Sequence, residues 1–294
     1  MKAAENMHRT LLQPKYKRQR FLLSFIRQLN ETLRATDLQK LVFLYVMKED
    51  LDYYEFIPYK YGAYSFQLAA DIDVLRRDGF LLQNTPEIAA SANTANLENF
   101  LIEKKRGNDL IREAYSQYPY FAINSEILDR LFTKDAADVF RNYKNKYIRT
   151  EPVLFTIGYE GRTIENFINT LIQNNVKMLV DVRRNPISRK FGFSRNNLEH
   201  ITKEIDIKYI HMPLLGVDSE KRAFLKTEDD YMQLFDEYKN SLKLRINELD
   251  FLYSLFTEEH RLALVCFEKE AKMCHRHVIR DYLAQTYDTP SIDL

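Results

Sequence analysis

Residues with reactive side chains are concentrated in one short stretch of the sequence, between positions 266 and 276. An apolar run, LALVCF, begins at Leu262 and has the length of a buried strand. Apolar residues at helical spacing begin again at Val278. The interpretation is a strand, a short loop and a helix. The reactive residues then lie at the strand's carboxyl end and at the start of the helix: Cys266, Glu268, Cys274, His275 and Arg276. Ligands of open α/β sheets bind just outside the carboxyl ends of the strands, so we expect a site here.

Three kinds of chemistry fit this group. Thiolates and imidazole are zinc ligands, but the spacing is not that of a standard structural zinc motif, and adjacent Cys274 and His275 are not expected to reach one ion. Cys274 could instead be a nucleophile whose pKa is lowered by a helix amino terminus and by Arg276. In the third interpretation, which we favour, both cysteines are packing residues, and Glu268, His275 and Arg276 are polar site residues. We therefore predict no metal site and no cofactor.

A second reactive group follows the apolar run that ends at Asp181. Its carboxylate would face the same sheet edge as Glu268, and two carboxylates can share acid and base roles or orient a water molecule. Alternatively, Asp181 pairs with Arg183. The loop that follows is strongly basic and contains two aromatic residues: Arg183, Arg184, Arg189, Lys190, Phe191, Phe193 and Arg195. This composition suits a nucleotide or a single strand, although a solvated loop would also explain it.

Two further positions fall at predicted strand ends. Gly158 and Gly161 flank Tyr159 and Glu160, and glycine permits close approach of a ligand to the backbone. Tyr159 and Glu160 could stack on and hydrogen-bond to a base or sugar, or the segment could be a simple tight turn. His211 ends a third strand, and we favour a core histidine bonded to a carbonyl over a general base.

Periodicity predicts two kinds of architecture in the two halves. After position 152, strands at 153–157, 177–182, 207–211 and 262–267 alternate with helices, which indicates an α/β domain with a parallel sheet. Before it, three helices and a strand pair indicate a mainly helical winged-helix-like domain, with an edge strand at 53–61, strands at 80–82 and 100–102, and an exposed loop or wing tip at 84–100. Thr150-Glu151-Pro152 is the predicted boundary, giving domains 1–150 and 151–294.

Composition bounds the location and the partners. The 294 residues carry a formal net charge of +1 and two cysteines, which favours a reducing cytosol over a disulfide framework. No apolar run reaches membrane-spanning length, and no signal-peptide core is present, so we expect a cytoplasmic protein without a membrane partner. The first 34 residues hold eight basic and two acidic residues. This excess suits contact with phosphates, or it forms a solvated helix face.

Four ordered motifs in the second half resemble the family catalogued as domain of unknown function 488. They are Phe155–Tyr159, Leu179–Pro186, His211–Gly216, and the Cys266-x-Glu268 and Cys274-His275-Arg276 pieces. The resemblance covers about residues 153–288 and implies a Rossmann-type domain with no settled reaction. In the first half, Leu38–Leu44, Tyr59–Ser65 and Leu75–Phe80 resemble winged-helix-like proteins related to the SocA and Panacea antitoxin domains, over roughly residues 17–85.

These observations predict a nucleic-acid-associated protein. Its α/β domain would bind a nucleotide or nucleic-acid ligand and hydrolyse a glycosidic or phosphate bond. The predicted catalytic residues are Asp181, Glu268 and His275, and the predicted ligand-binding residues are Gly158, Tyr159, Glu160, Arg183, Arg184 and Arg276. The alternative is a non-catalytic, antitoxin-like sensor of a nucleotide or modified base, with a role in phage defence. If the amino-terminal domain does not bind nucleic acid, we expect it to bind a protein.

Overall fold

A computed structural model of the protein describes residues 13–91, 100–222, 225 and 227–294. The chain divides between Tyr143 and Lys144 into two units. Each unit has its own apolar core, one drawn from positions 21–140 and the other from positions 154–283. The division lies a few residues before the boundary proposed at Thr150-Glu151-Pro152.

The first unit is mainly helical. Its elements are α1 (Lys17–Leu29), α2 (Ala35–Lys48), β1 (Ile57–Tyr59), β2 (Gly62–Tyr64), α3 (Phe66–Arg77), α4 (Gly107–Gln117), α5 (Leu128–Leu131) and α6 (Lys134–Lys144). Apolar residues at helical spacing bury one face of α1, with Phe21, Phe25 and Ile26 in the core. The Ser65 hydroxyl caps α3 by accepting from the Leu68 backbone N–H at 3.2 Å.

The strands of this unit are not arranged as the sequence suggested. The antiparallel β1–β2 pair lies between α2 and α3 in the chain, whereas we expected a strand pair after the third helix. Of the predicted strand at 80–82, only Leu81 makes a bridge, to Ala90. Residues 100–102 are not a strand. Most of the predicted wing tip, residues 92–99, lies outside the described residues.

The second unit alternates strands and helices. Its elements are β3 (Val153–Gly158), α7 (Ile164–Gln173), β4 (Met178–Asp181), α8 (Arg195–Lys203), β5 (Lys208–His211), α9 (Ser219–Arg222), α10 (Glu228–Leu242), α11 (Ile246–Glu259), β6 (Arg261–Cys266), α12 (Arg276–Tyr287) and β7 (Ser291–Asp293). Four of the five strands were predicted to within two residues at each end. The exposed three-residue β7 was not predicted.

The five strands form one sheet in the order β5-β4-β6-β3-β7, and every neighbouring pair is parallel. The α/β class and the parallel sheet are therefore confirmed. Strand β6 lies between β4 and β3, whereas the dinucleotide-binding fold pairs its first and second strands directly. The crossover from β3 leads to β4, and the crossover from β6 leads to β7 in the opposite direction. The crossovers that leave the neighbouring strands β3 and β6 therefore run to opposite sides of the sheet. Open α/β sheets bind ligands at such a position.

The two faces of the sheet are covered by different helices. Side chains of α10, α11 and α12 pack against one face, where they contact Leu154, Val180 and Leu264. Right-handed crossovers in opposite directions place α7 on the other face. In the part of the chain that the structure describes, no helix combines the length and the apolar character needed to cross a bilayer.

Candidate functional site

The carboxyl ends of the central strands bring the predicted site residues to one edge of the sheet. The register pairs Asp181 of β4 with Val265 of β6, and Gly158 of β3 with Cys266. The prediction that Asp181 and Cys266 lie at the same edge is therefore confirmed. The residues that follow these strands divide into buried groups that hold the edge together and exposed groups that a ligand could contact.

Asp181 is fully buried in an ion pair with Arg183. Arg183 Nε donates to Asp181 Oδ1 at 2.8 Å, and the Tyr209 hydroxyl donates to Oδ2 at 2.7 Å. Arg183 Nη1 also donates to the Tyr159 hydroxyl and to the Phe193 carbonyl, at 3.0 and 2.8 Å. Of the two roles considered for Asp181, the structure shows the pairing with Arg183. Neither residue faces a ligand as the sequence suggested.

The electrostatics of this pair are those of a buried structural pair. Burial disfavours the charged guanidinium of Arg183, but the hydrogen bonds and charge of Asp181 outweigh burial and raise the pKa of Arg183. Burial, together with the charge of Asp181, raises the pKa of Tyr209. The guanidinium of Arg183 therefore stays charged across the physiological range.

Tyr159 packs as a core residue. It is buried, and its ring stacks on Phe193 with centroids 4.4 Å apart and planes 10° from parallel. The face predicted to receive a base is thus occupied by an aromatic residue of the basic loop. Phe193 is buried, since Tyr159 covers its ring and Arg183 donates a hydrogen bond to its carbonyl.

The loops after β3 and β6 join in a seam, formed by residues 158–161 and 267–269. Glu160 N–H donates to the Phe267 carbonyl at 2.9 Å, and Lys269 N–H donates to Glu160 Oε2 at 3.0 Å. A Cβ added at Gly158 would lie 1.8 Å from the Glu268 carbonyl oxygen. The close approach predicted at Gly158 is therefore real, but the group that approaches is the protein's own backbone. The seam closes the cleft expected between β3 and β6.

Arg276 fixes the seam to the sheet. Its buried guanidinium donates to the Thr156 hydroxyl at 3.1 Å and to the Glu268 and Lys269 carbonyls at 2.6 and 2.9 Å. All three acceptors belong to the protein, and the side chain is buried. The position of Arg276 therefore does not support the prediction that it faces a ligand. Thr156 had no sequence signal beyond its place in a predicted strand.

Cys266, Cys274 and His275 converge on one point. The two Sγ atoms and His275 Nδ1 lie within 4.8 Å of one another, and all three residues are buried. The sequence argument that adjacent Cys274 and His275 would not reach one point is wrong for this backbone. Burial, followed by the interaction with Cys266, raises the pKa of the Cys274 thiol. A raised pKa opposes the nucleophile interpretation, which required a lowered pKa.

Of the predicted catalytic residues, Glu268 and His275 line a surface cavity. The cavity has a volume of about 150 Å³, and its lining includes Tyr231, Phe235, Met273, Cys274 and His275 beside Glu268. Glu268 is half-buried, and its Oε2 accepts a hydrogen bond from Cys266 Sγ at 3.3 Å. Glu268 therefore combines a carboxylate with access to a small cavity whose lining is both polar and apolar.

The basic loop between β4 and α8 keeps part of its charge exposed. Arg184 pairs with Asp218 at 3.1 Å, and the Lys190 ammonium donates to the Tyr159 carbonyl at 3.1 Å. The side chains of Arg189 and Arg195 are exposed, and so is the ring of Phe191. Within the described residues, the Ser194 side chain caps no backbone N–H of α8. A free helix amino terminus attracts anions, which adds to the effect of the exposed cations.

Besides Thr156, two residues at this edge were missed by sequence reasoning. Tyr209 binds Asp181, and Tyr238 packs edge-on against His275 with ring centroids 5.5 Å apart. Strand alternation could have found Tyr209, because it lies two residues before His211 on the same face of β5. His211 itself contacts the Arg183 carbonyl through Nε2 at 2.9 Å, which is the carbonyl-bonded role that we favoured. Tyr238 comes from a helix distant in sequence, and only the fold places it here.

A family model described as Domain of unknown function DUF488 matches residues 163–283 of the chain. The match supports the resemblance of the second unit to that family and does not extend into the first unit. It includes Asp181, Glu268, Cys274 and His275, and its description assigns no reaction. No curated protein and no solved structure matches the chain.

Proposed function

We propose that the second unit binds a nucleotide or nucleic-acid ligand at the carboxyl edge of its sheet, with phosphates on the exposed face of the loop between β4 and α8. The observation that carries the proposal is the group of Arg189, Arg195 and the uncapped start of α8, with the ring of Phe191 exposed beside them. Guanidinium groups and a helix amino terminus bind phosphate, and an exposed ring can stack on a base. Arg183 and Arg276 are engaged in the interior, so the phosphate role belongs to the exposed arginines and to half-buried Arg184.

We further propose that the bound ligand is cleaved at a glycosidic or phosphate bond, with Glu268 as the acid or base. Glu268 is the carboxylate of the predicted pair that a substrate can reach, because Asp181 is sealed by Arg183 and Tyr209. A single accessible carboxylate can position or deprotonate a water molecule. In this proposal His275 acts as a support, since its ring is buried.

A second function, a non-catalytic sensor, is favoured by one observation. Many hydrolases of glycosidic bonds use two carboxylates that flank the bond, and here Asp181 is neutralised by a buried arginine. An antitoxin-like regulator would need only the binding surface. The two functions predict different consequences when the charge of Glu268 is removed.

For the first unit we propose a winged-helix-like nucleic-acid contact, with a protein partner as the alternative. The support is the excess of basic residues at its start. Part of that charge is already paired within the unit: Arg18 binds Asp71 at 2.6 Å, and Arg34 binds Asp37 at 3.0 Å. On α1, the exposed side chain of Lys17 is a basic group that a phosphate could contact.

Binding is tested by fluorescence anisotropy with labelled single-stranded oligonucleotides at low and high salt. We expect Arg189→Ala with Arg195→Ala to weaken binding and to reduce the salt dependence, because two phosphate contacts are lost. The matched control is Lys203→Ala with Lys243→Ala, which removes two exposed charges of the same unit away from the loop. Equal losses in both pairs would show that only the general charge matters and would contradict the proposed surface.

Cleavage is tested by product analysis of oligonucleotides and nucleotides incubated with the full chain and with Glu268→Gln. The substitution keeps the shape of the side chain and removes its charge. Loss of turnover with unchanged folding would support the hydrolase. If neither protein turns over any of these substrates, the sensor is supported, whether or not Glu268→Gln changes the binding affinity.

A further inference from the structure

Three atoms that can bind a metal ion come together from two separate elements. Cys266 is the last residue of β6, and Cys274 and His275 precede α12 after a short 3-10 turn at Ala271–Met273. Cys266 Sγ lies 3.7 Å from His275 Nδ1, and Cys274 Sγ lies 3.8 Å from the same nitrogen. The strand end fixes one sulfur, and the turn brings back the other ligands.

The hydrogen bond at the far side of the imidazole determines which nitrogen faces the sulfurs. His275 Nε2 lies 3.0 Å from the Val182 carbonyl oxygen, which can only accept. Nε2 therefore carries the proton, and in the neutral ring Nδ1 presents its lone pair to the two sulfurs. A backbone carbonyl that binds the outer N–H of a ligating histidine is a common feature of metal sites. Tyr238, packed edge-on against the ring, further limits its rotation.

The separations match a tetrahedral zinc site. With Zn–S bonds of about 2.3 Å and Zn–N bonds of about 2.0 Å, tetrahedral geometry places sulfur and nitrogen ligands roughly 3.6 Å apart. The observed sulfur–nitrogen distances are 3.7 and 3.8 Å. Packing alone does not require both sulfurs to be equally distant from one imidazole lone pair.

We propose that Cys266, Cys274 and His275 form a binding site for a thiophilic metal ion of the zinc class. Two thiolates and one imidazole leave one coordination position of a tetrahedral ion for another group. Cys274 and His275 line the cavity of about 150 Å³, and Glu268 lines it beside them, with Oε2 3.3 Å from Cys266 Sγ. The fourth position is directed to the cavity, where a water molecule or a small ligand can enter.

Metal binding changes the protonation of the cluster. Each thiol releases its proton to solvent as it becomes a thiolate ligand, so that affinity rises with pH. The hydrogen bond from Cys266 to Glu268 is lost in the same step. The Glu268 carboxylate is then available to accept a hydrogen bond from whatever occupies the fourth position. Open positions of this kind distinguish reactive zinc sites from closed structural ones.

The metal proposal goes beyond the proposed function and does not depend on it. The metal site is formed by buried residues at the end of β6 and before α12, whereas the phosphate surface is an exposed loop after β4. A chain that binds metal and no nucleotide would contradict only the function, and a chain that binds nucleotide and no metal would contradict only this inference.

The test uses the full chain purified under reducing conditions and measures metal by mass spectrometry after incubation with excess zinc and removal of free ions. We expect about one zinc per chain, and background levels for Cys266→Ser, Cys274→Ser and His275→Gln, since each removes one of three protein ligands. The matched control is His200→Gln, which replaces an exposed histidine on α8 and should leave the zinc content unchanged.

A second measurement does not depend on whether the variants fold. The wild-type chain loaded with Co²⁺ should show thiolate-to-cobalt charge-transfer absorption and the intense visible bands of tetrahedral cobalt. Wild-type protein that binds neither zinc nor cobalt would overturn the proposal. So would zinc binding that persists in both cysteine variants, or a disulfide between Cys266 and Cys274 in protein isolated from a reducing cytosol.

Discussion

The ion pair of Asp181 and Arg183 shows how one residue type can serve either chemistry or structure. Asp181 ends a central strand, a common place for a catalytic carboxylate, and yet its oxygens accept from Arg183 and Tyr209 inside the unit. Its neighbour two positions along supplies the neutralising charge. Our proposal therefore gives the acid or base role to Glu268, which follows the end of β6 and lines a cavity.

We predict that Arg183→Ala destabilises the second unit by about 3–5 kcal/mol, because it leaves the Asp181 carboxylate buried without a partner. Urea denaturation followed by circular dichroism gives the free energy of unfolding. Arg184→Ala is the control: its ion pair with Asp218 is partly exposed, and its loss should cost no more than about 1 kcal/mol. Similar effects of the two substitutions would show that Arg183 is not structural.

A buried lysine in the first unit gives a prediction about pH. Lys40 on α2 is buried and donates to the Ala63 carbonyl at 2.7 Å. Burial lowers the pKa of Lys40 from 10.5 to about 7, against a smaller opposing effect of Asp37. Between these values the unfolded chain binds a proton that the folded chain lacks, so the free energy of unfolding rises with pH over this range.

Between pH 7 and pH 10, the free energy of unfolding of the wild type should rise more than that of Lys40→Met, which lacks the titrating group. Over these three pH units the difference in gain is at most about 4 kcal/mol, because one bound proton changes the free energy of unfolding by about 1.4 kcal/mol per pH unit. Lys48→Met, an exposed position at the end of the same helix, should keep the wild-type pH dependence. A pH dependence that is identical in wild type and Lys40→Met would contradict the burial effect.

At the scale of elements, the seam between the loops after β3 and β6 depends on the missing side chain of Gly158. Gly158→Ala would place a methyl group 1.8 Å from the Glu268 carbonyl, so the two loops must separate. We expect a loss of at least about 2 kcal/mol by thermal or urea unfolding, as in overpacked interiors. Gly161→Ala meets no atom within 4 Å and should cost only about 1 kcal/mol, through its φ of +76°. The reverse ranking would show that the seam is not tightly packed.

Most strands and helices of the second unit could be predicted from the sequence, because they carry a strong local pattern of apolar residues. The apolar runs at β3, β4 and β6 are buried on both faces, as parallel strands usually are, and alternate with amphipathic helices. Strand β7 has no such signal, since it is short and exposed. The strand expected at 100–102 was wrong because a brief apolar run does not reveal whether a partner strand exists.

The site was predictable in position and not in orientation. Strand ends located Asp181, Glu268 and the Cys274–Arg276 piece at one edge, because parallel strands end together. The side chains of Arg183 and Arg276 turn inward toward acceptors that only the fold supplies, such as the Phe193 and Glu268 carbonyls. Likewise, adjacency of Cys274 and His275 in sequence did not reveal that the bend before α12 directs both inward.

On the scale of the whole molecule, each unit has a complete core of its own. Phe25 and Phe43 belong to the first core, and Val180 and Leu264 belong to the second. We predict that residues 144–294, expressed alone, fold with a single cooperative urea transition and retain the tertiary signal of the unit. A fragment without a cooperative transition would show that the second core needs the first unit. Residues 1–143 provide the parallel test of the first core.

The position of β6 has a consequence for how the protein is made. It is the central strand of the sheet, between β4 and β3, and these two strands pair with β6 and not with each other, so that each lacks a neighbour until β6 is made. During synthesis, β3 has no partner strand until the residues from position 261 onward leave the ribosome. The first unit can fold during that interval, whereas nascent β3 and β4 present apolar, unpaired edges. Chaperone engagement during translation is therefore expected over the interval between β3 and β6.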